Sequence, residues 1–347
     1  MTTLRRYLFY RLKNSVLRIL IFSILSILLS RIVLREGITA EKISNRASGL
    51  YIFAIILGII ASLIPFFELS GFKNRRNLDT LFFFPIKREK MGLAVYISGL
   101  LQMTIIYTVT YVAGFIFLAS KTNCFALIYM LPYFFLSLLL GAVIYSVFMF
   151  LFSEANTVTD GVLFCLLWIF LLYMVSNTAI LEFVDSESRH TETVQAAMDL
   201  SEWGIIYAPI NNLTVLFQEL IEIHRSSRWG NSAEEVKEYL YMFFVWGVIG
   251  IAAAVGYVYR FAKKGAEKAG EISESWFGYR ILIPIYGYCL IFLTTGSYVS
   301  VFSVLSWLIF ALMIIGYVVY RRSFRLKKSD IGAIAAGLIP IILSINP

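Results

Sequence analysis

Residues 50–67 (LYIFAIILGIIASLIPFF) run for eighteen positions without a charged side chain, and comparable runs recur along the chain. About 20 apolar residues in helical conformation cross a hydrocarbon core of about 30 Å. Continuous runs also exclude an outer-membrane-type barrel, whose strands alternate apolar and polar positions. Charged residues make up only 15% of the 347, too few to cover a water-soluble domain of this size. The sequence therefore predicts an all-α fold, a polytopic transmembrane helical bundle.

The predicted spans cover about 16–34, 49–69, 91–119, 125–152, 161–181, 239–259, 281–296 and 301–320, followed by a shorter apolar run at 331–345 that contains Pro340. With nine spans the C-terminus lies outside, an ending that points to an extracellular continuation. Ahead of the first span, Leu4, Tyr7, Leu8 and Leu12 alternate with Arg5, Arg6, Arg11 and Lys13. That mixture suits an amphipathic helix lying in the interface, with its basic side chains reaching the head groups. Orientation follows from lysine and arginine. An inside N-terminus puts 21 of them in inner segments and 9 in outer ones, and it leaves the 11 acidic residues of 182–238 outside. The positive-inside rule favours this arrangement, so the N-terminus is expected in the cytoplasm. The net charge of +8 is then a matter of topology, and no nucleic-acid partner is expected.

Chemistry-bearing motifs are sparse. No G-x-x-x-x-G-K-[ST] occurs, and GAEKAG at 265–270 lacks the lysine-serine ending, so the chain is not expected to be an enzyme that hydrolyses ATP. His190 and His224 are 34 residues apart with no ligand partners, so no metal site is expected. Cys124, Cys165 and Cys289 have no metal spacing and are read as packing residues. Glu234 and Glu235 lie outside any span and do not suggest intramembrane catalysis. Glu68 stands at the inner end of the second span, where a structural or gating role and simple interfacial placement fit equally. Arg18 and Arg31, near the two ends of the first span, are read as snorkelling. No ladder of buried acids suggests proton coupling, no repeated filter loop suggests a channel, and no pair of similar halves is visible. In the outer stretch, Leu213, Leu216, Phe217 and Leu220 fall at helical spacing, which predicts an amphipathic or partly re-entrant helix packed on the outer membrane surface, with a simple lid over the bundle and a substrate-gating role fitting equally.

The inner segment NLDTLFFFPIKREKMG, 77–92, is apolar where a loop should be polar. Leu78, Leu81 and Phe82 form one ridge at i, i+3 and i+4. Asn77 is placed to cap the helix, Asp79 complements its dipole, and Pro85 disfavours helical geometry at Phe84. A short helix with exposed aromatic surface implies a partner.

The run Asn77-Leu78-Asp79-Thr80-Leu81-Phe82-Phe83-Phe84-Pro85-Ile86-Lys87-Arg88 resembles the T-L-E-x-L-L-x-x-P-I-S-R pattern between the second and third spans of type-2 ABC exporter permeases. The basic N-terminal helix, six spans and outer helical material between the fifth and sixth are similar to that family over residues 1–260. The basic link after Arg260 looks like loops of larger Gram-positive members. Asn77 and Lys87 depart from the commoner Thr and Ser.

The resemblance implies an interfacial helix at 1–14, a six-span permease core at 15–260 with a coupling helix at 77–86 and an extracellular segment at 182–238, and two or three extra spans within 261–347. It implies that Leu78, Asp79, Leu81, Phe82, Pro85, Ile86, Lys87 and Arg88 engage separate ATP-binding subunits. Those subunits would bind ATP and Mg, leaving this chain without a cofactor. A second permease subunit, as homodimer or heterodimer, membrane lipid and a bacterial plasma membrane complete the expectation. The alternative is a membrane sensor or assembly protein whose outer loop binds a peptide or envelope component without transport.

Overall fold

The structure is a computed structural model that describes residues 2–39, 48–74, 86–119, 127–171, 213–214, 216–217, 232–264, 269–271, 273, 275, 277–295, 300–321, 323–325 and 328–345. Regular structure among these residues is helical. The helices are Thr2–Asn14 (α1), Val16–Thr39 (α2), Ser48–Ser70 (α3), Arg88–Ala119 (α4), Leu127–Glu154 (α5), Val158–Leu171 (α6), Ser232–Lys263 (α7), Tyr279–Thr295 (α8), Ser300–Arg321 (α9) and Lys328–Ile345 (α10). Four stretches are long and apolar enough to cross a membrane: Leu50–Lys73, Arg88–Phe117, Tyr129–Glu154 and Phe243–Lys263. The α1–α2 pair, bent by 51°, makes a fifth when counted as one span. These are the helices of a multi-pass membrane protein. The apolar helices Val158–Leu171, Tyr279–Ile291 and Leu305–Tyr320 are shorter. The last helix continues through Pro340.

Contacts divide the chain into two compact units, Met1–Ser153 with Ile206–Ala269, and Glu154–Ile205 with Gly270–Pro347. The grouping does not follow chain order, because α6 belongs with the C-terminal helices. In the first unit α4 is the hub, packing on α1, α2, α3 and α7. It meets α5 through paired hydroxyls. The Tyr107 hydroxyl lies 2.7 Å from Ser137 Oγ, and Tyr96 pairs with Ser146 at 2.6 Å. Each serine donates its own proton back to a helix carbonyl, Ser137 to Phe134 and Ser146 to Ala142, so the tyrosines are the donors. Tyr145 donates to the Tyr96 carbonyl at 2.9 Å and Tyr111 to the Met130 carbonyl at 2.7 Å. A bundle in lipid has no water to satisfy such groups, so its buried tyrosines must find partners within the protein.

The residues Leu213, Leu216 and Phe217, which fall at helical spacing, are buried. Phe217 meets Tyr133 edge-on with ring centroids 5.4 Å apart, and Thr214 Oγ1 is 3.0 Å from the Tyr133 hydroxyl. Leu220 lies outside the described residues, as do His190, His224 and Cys124.

Helix α7 is attached along a narrow seam. Phe244, Val248, Ile251, Val255 and Tyr259 are exposed, while Tyr257 is buried and donates to the Gly92 carbonyl at 3.3 Å. At Gly250 the helix touches α5 so closely that a Cβ would sit 2.8 Å from Val143 Cγ2 and 3.1 Å from Val143 Cα. Small residues let membrane helices approach in this way. Gly250→Val is expected to destabilise the first unit by about 1–3 kcal/mol through overpacking, seen as a lower unfolding midpoint in detergent, with Gly247→Val as a neutral control. A Cβ at Gly247 has open space within 4 Å.

In the second unit, Phe164, Leu171 and Leu282 form one core cluster, and Met313, Tyr317 and Tyr320 another. The turn before α6 is pinned to the segment before α8. Asp160 accepts from Ser273 Oγ at 2.6 Å and from the Tyr279 hydroxyl at 2.9 Å, while the Asn156 amide donates to Ser273 Oγ at 2.8 Å. Thr157 Oγ1 accepts from the Asp160 amide at 3.0 Å, in the manner of an N-cap. Gly270 adopts φ 79°, a backbone that suits glycine, and its amide donates to the Asn156 carbonyl.

Candidate functional site

Glu68 lies near the C-terminal end of α3 and is only 2% exposed. A carboxylate buried this deeply among apolar helices persists only if it is paired. Arg11 Nη2 donates to Glu68 Oε2 at 2.8 Å and to the Glu68 carbonyl at 3.0 Å. Arg18 Nη2 donates to Glu68 Oε1 and to Gln102 Oε1. Gln102, from α4, returns its amide protons to Glu68 Oε1 at 2.8 Å and to Ser98 Oγ at 3.1 Å. One carboxylate thus joins α1, α2, α3 and α4. Two guanidinium groups against one carboxylate leave the node with a net charge of about +1.

The reach of both arginines depends on the bend between α1 and α2. Ser15 sits at the break, buried, and its hydroxyl bonds the Arg11 and Leu12 carbonyls, both at 3.0 Å. The Ser15 amide donates to the same two carbonyls, both at 3.1 Å, so the serine closes the end of α1 with its backbone and its side chain together. The bend lets Arg11 and Arg18 approach Glu68 from opposite sides of it. Aromatic faces line the arginines. Arg11 stands 5.4 Å from the Phe72 ring centroid, and Arg18 stands 5.6 Å from that of Phe67. Such contacts stabilise a weakly hydrated guanidinium. Arg18 was expected to snorkel, and it turns inward instead, because the buried Glu68 offers a stronger partner than distant head groups. Arg31 is exposed, 5.9 Å from the Phe117 ring centroid.

Several helix C-termini gather around the node, each held by a cation. Lys73 is buried and donates to the Phe152 carbonyl at 2.6 Å, and Lys264 donates to the Ser153 carbonyl at 2.7 Å, both at the end of α5. Arg88, at the start of α4, donates to the Lys264 carbonyl at 3.2 Å, just beyond α7. Arg11 does the same for α3. Cations at helix C-termini offset the negative end of the dipole and bond carbonyls that have no partner within the helix. Lys73, Arg88 and Lys264 therefore have a structural use that charge counting attributed to topology alone.

Among the proposed partner-binding residues, Ile86 is half-buried, and Lys87 and Arg88 are exposed. Leu78, Asp79, Leu81, Phe82 and Pro85 lie outside the described residues. The described residues on either side of them in the chain are Asn74 and Ile86. Among the described residues no group of three or more His, Cys, Asp or Glu side chains comes together to hold a metal. Cys165 and Cys289 are unbridged. Sequence reasoning found Glu68 but not its partners. The available signal was Arg11 and Arg18, seven residues apart, two basic residues flanking one acid of a neighbouring span. Comparison with protein-family models, curated proteins and solved structures finds no match to the chain.

Proposed function

We propose that this chain is the transmembrane permease subunit of an ATP-driven ABC transporter, an exporter with a cytoplasmic N-terminus in a bacterial plasma membrane. Hydrolysis of ATP, with its Mg, would belong to separate ATP-binding subunits that dock on residues 77–88. A second permease subunit would complete the assembly. The observation that carries the proposal is the Leu78–Arg88 sequence pattern, which falls in the chain between two long apolar helices. Its surroundings support a coupling role. Glu68 and Lys73 precede the segment, Arg88 follows it, and their bonds reach α1, α2, α4, α5 and the end of α7. A partner that pushed on 77–86 would displace a bonded group of helix ends together rather than one loose loop. Coupling of this kind needs two states whose contacts differ, and the partner's closure on ATP supplies the bias between them.

The test is whether an ATP-binding protein is encoded beside this chain and co-purifies with it. Phe82→Asp is expected to reduce its recovery by about tenfold or more, as loss of an apolar interface anchor does, while the chain keeps its wild-type unfolding midpoint. Unchanged recovery would remove the segment from the interface. A permease further predicts that transport substrate stimulates ATP hydrolysis in the reconstituted complex, whereas a sensor without transport does not.

A further inference from the structure

The geometry points to a binding site for one anionic phospholipid, with an acyl chain in the groove between α2 and α3 and its phosphate at Arg18. A shallow open groove runs between these helices, walled by Phe22, Leu25 and Leu29 on one side and Ile56, Ile59 and Ile60 on the other. Its lining is almost wholly apolar, with Ser26 the polar exception. It extends along α3 as far as Ile64, about 12 Å from Ile56 at the rise of a helix. That length matches the upper part of one acyl chain.

The groove ends at the charged node. Phe22 packs edge-on against Phe67 with centroids 5.5 Å apart, and the Arg18 guanidinium lies 5.6 Å from the centroid of that same Phe67 ring. Arg18 is one helical turn from Phe22, and Glu68 is one turn from Ile64. The side chain of Arg18 keeps 23% of its surface open, and its Nε, though buried, has no partner among the described residues. Glu68 already accepts from Arg11, Arg18 and Gln102, so the node's excess positive charge has no anion left within it. An apolar slot that terminates at a node of net positive charge fits a ligand with an apolar tail and an anionic head. A lipid phosphate offers a guanidinium the geometry it binds best. A second copy of this chain fits less well, since it would bring the same positive node toward this one. Helix α1 adds a suitable setting, with Arg5, Arg6 and Lys13 exposed beside Phe9 and Tyr10, as on an interfacial helix.

The whole chain, purified in a neutral detergent, is titrated with phosphatidylglycerol and with phosphatidylcholine of identical chains, and bound lipid is counted by native mass spectrometry. One phosphatidylglycerol is expected to bind about tenfold more tightly than phosphatidylcholine. Ile59→Trp fills the groove from an exposed position and leaves the node intact, so it should abolish the selective adduct without lowering the unfolding midpoint. Arg18→Gln should erase the preference between the two lipids. Inorganic phosphate at millimolar concentration should not displace the lipid. Equal binding of the two lipids, or an adduct that survives Ile59→Trp, overturns the assignment. Displacement by inorganic phosphate would make the site one for free anions. A dimer lost on Ile59→Trp with lipid binding unchanged would make the groove a subunit seam.

Discussion

Glu68→Ala is expected to cost about 3–5 kcal/mol of stability, because it strands two cations that the fold has withdrawn from water. Arg11 and Arg18 keep only 15% and 23% of their side-chain surface open, and neither has another carboxylate in the node. Their remaining partners are the Glu68 carbonyl, the Tyr7 hydroxyl and Gln102, all neutral. Glu68→Gln retains an acceptor oxygen and should cost less. Arg31→Ala is the control. Its guanidinium is exposed near Phe117, a contact worth about 0.5–1 kcal/mol, and its loss should shift the midpoint only slightly. Reversible unfolding in mixed micelles measures all three. A Glu68→Ala loss no larger than that of Arg31→Ala would mean that the arginines find solvent readily and that the node does not hold the helices together.

Tyr133→Ala is the second large effect, with an expected loss of about 3–5 kcal/mol, as for other buried aromatic truncations. Tyr133 is fully buried, its ring meets Phe217 and Tyr111, and its hydroxyl donates to the Leu50 carbonyl at 3.1 Å. It therefore fastens the 213–217 segment to the start of α3 and to α5. Tyr133→Phe keeps the ring and removes the hydroxyl, and should cost about 0.5–1.5 kcal/mol. Limited proteolysis separates packing from polar contributions. Cleavage within the 206–231 stretch should rise sharply in Tyr133→Ala and little in Tyr133→Phe. Equal protection in both variants would show that the segment is held by something other than this ring.

The helical class was legible because lipid imposes it. A run such as 50–67 has no alternative that satisfies its backbone away from water. The burial of Leu213, Leu216 and Phe217 was legible for a related reason, since one apolar face at helical spacing must be covered. Glu68 could be singled out because a carboxylate inside a span needs an explanation. What sequence could not supply was the bend at Ser15, which decides that Arg11 and Arg18 converge rather than reach for head groups. Nor could it show that Asp160 would meet Ser273 and Tyr279, more than 110 residues away, and group α6 with the C-terminal helices. Such long-range pairings depend on which helix faces meet, and apolar all-round helices give few clues to that.

The contacts of α7 give it unequal ends. From Gly250 onward it is held by Val143, by Phe150 at Gly256, by the Tyr257 hydroxyl on Gly92 and by Phe261 against Phe72 at 5.2 Å. The side chains of Phe244, Val245, Val248 and Ile249, ahead of that point, are exposed. The helix is therefore a lever whose fulcrum lies near Gly250 and whose short arm is fixed among the basic helix ends. The arm from Gly250 back to Ser232 is about 27 Å long at 1.5 Å per residue, so a tilt of roughly 10° at the fulcrum carries its tip about 5 Å. Phe244, Val245, Val248 and Ile249 already face outward, so small work at the foot of this helix becomes a large displacement at its head.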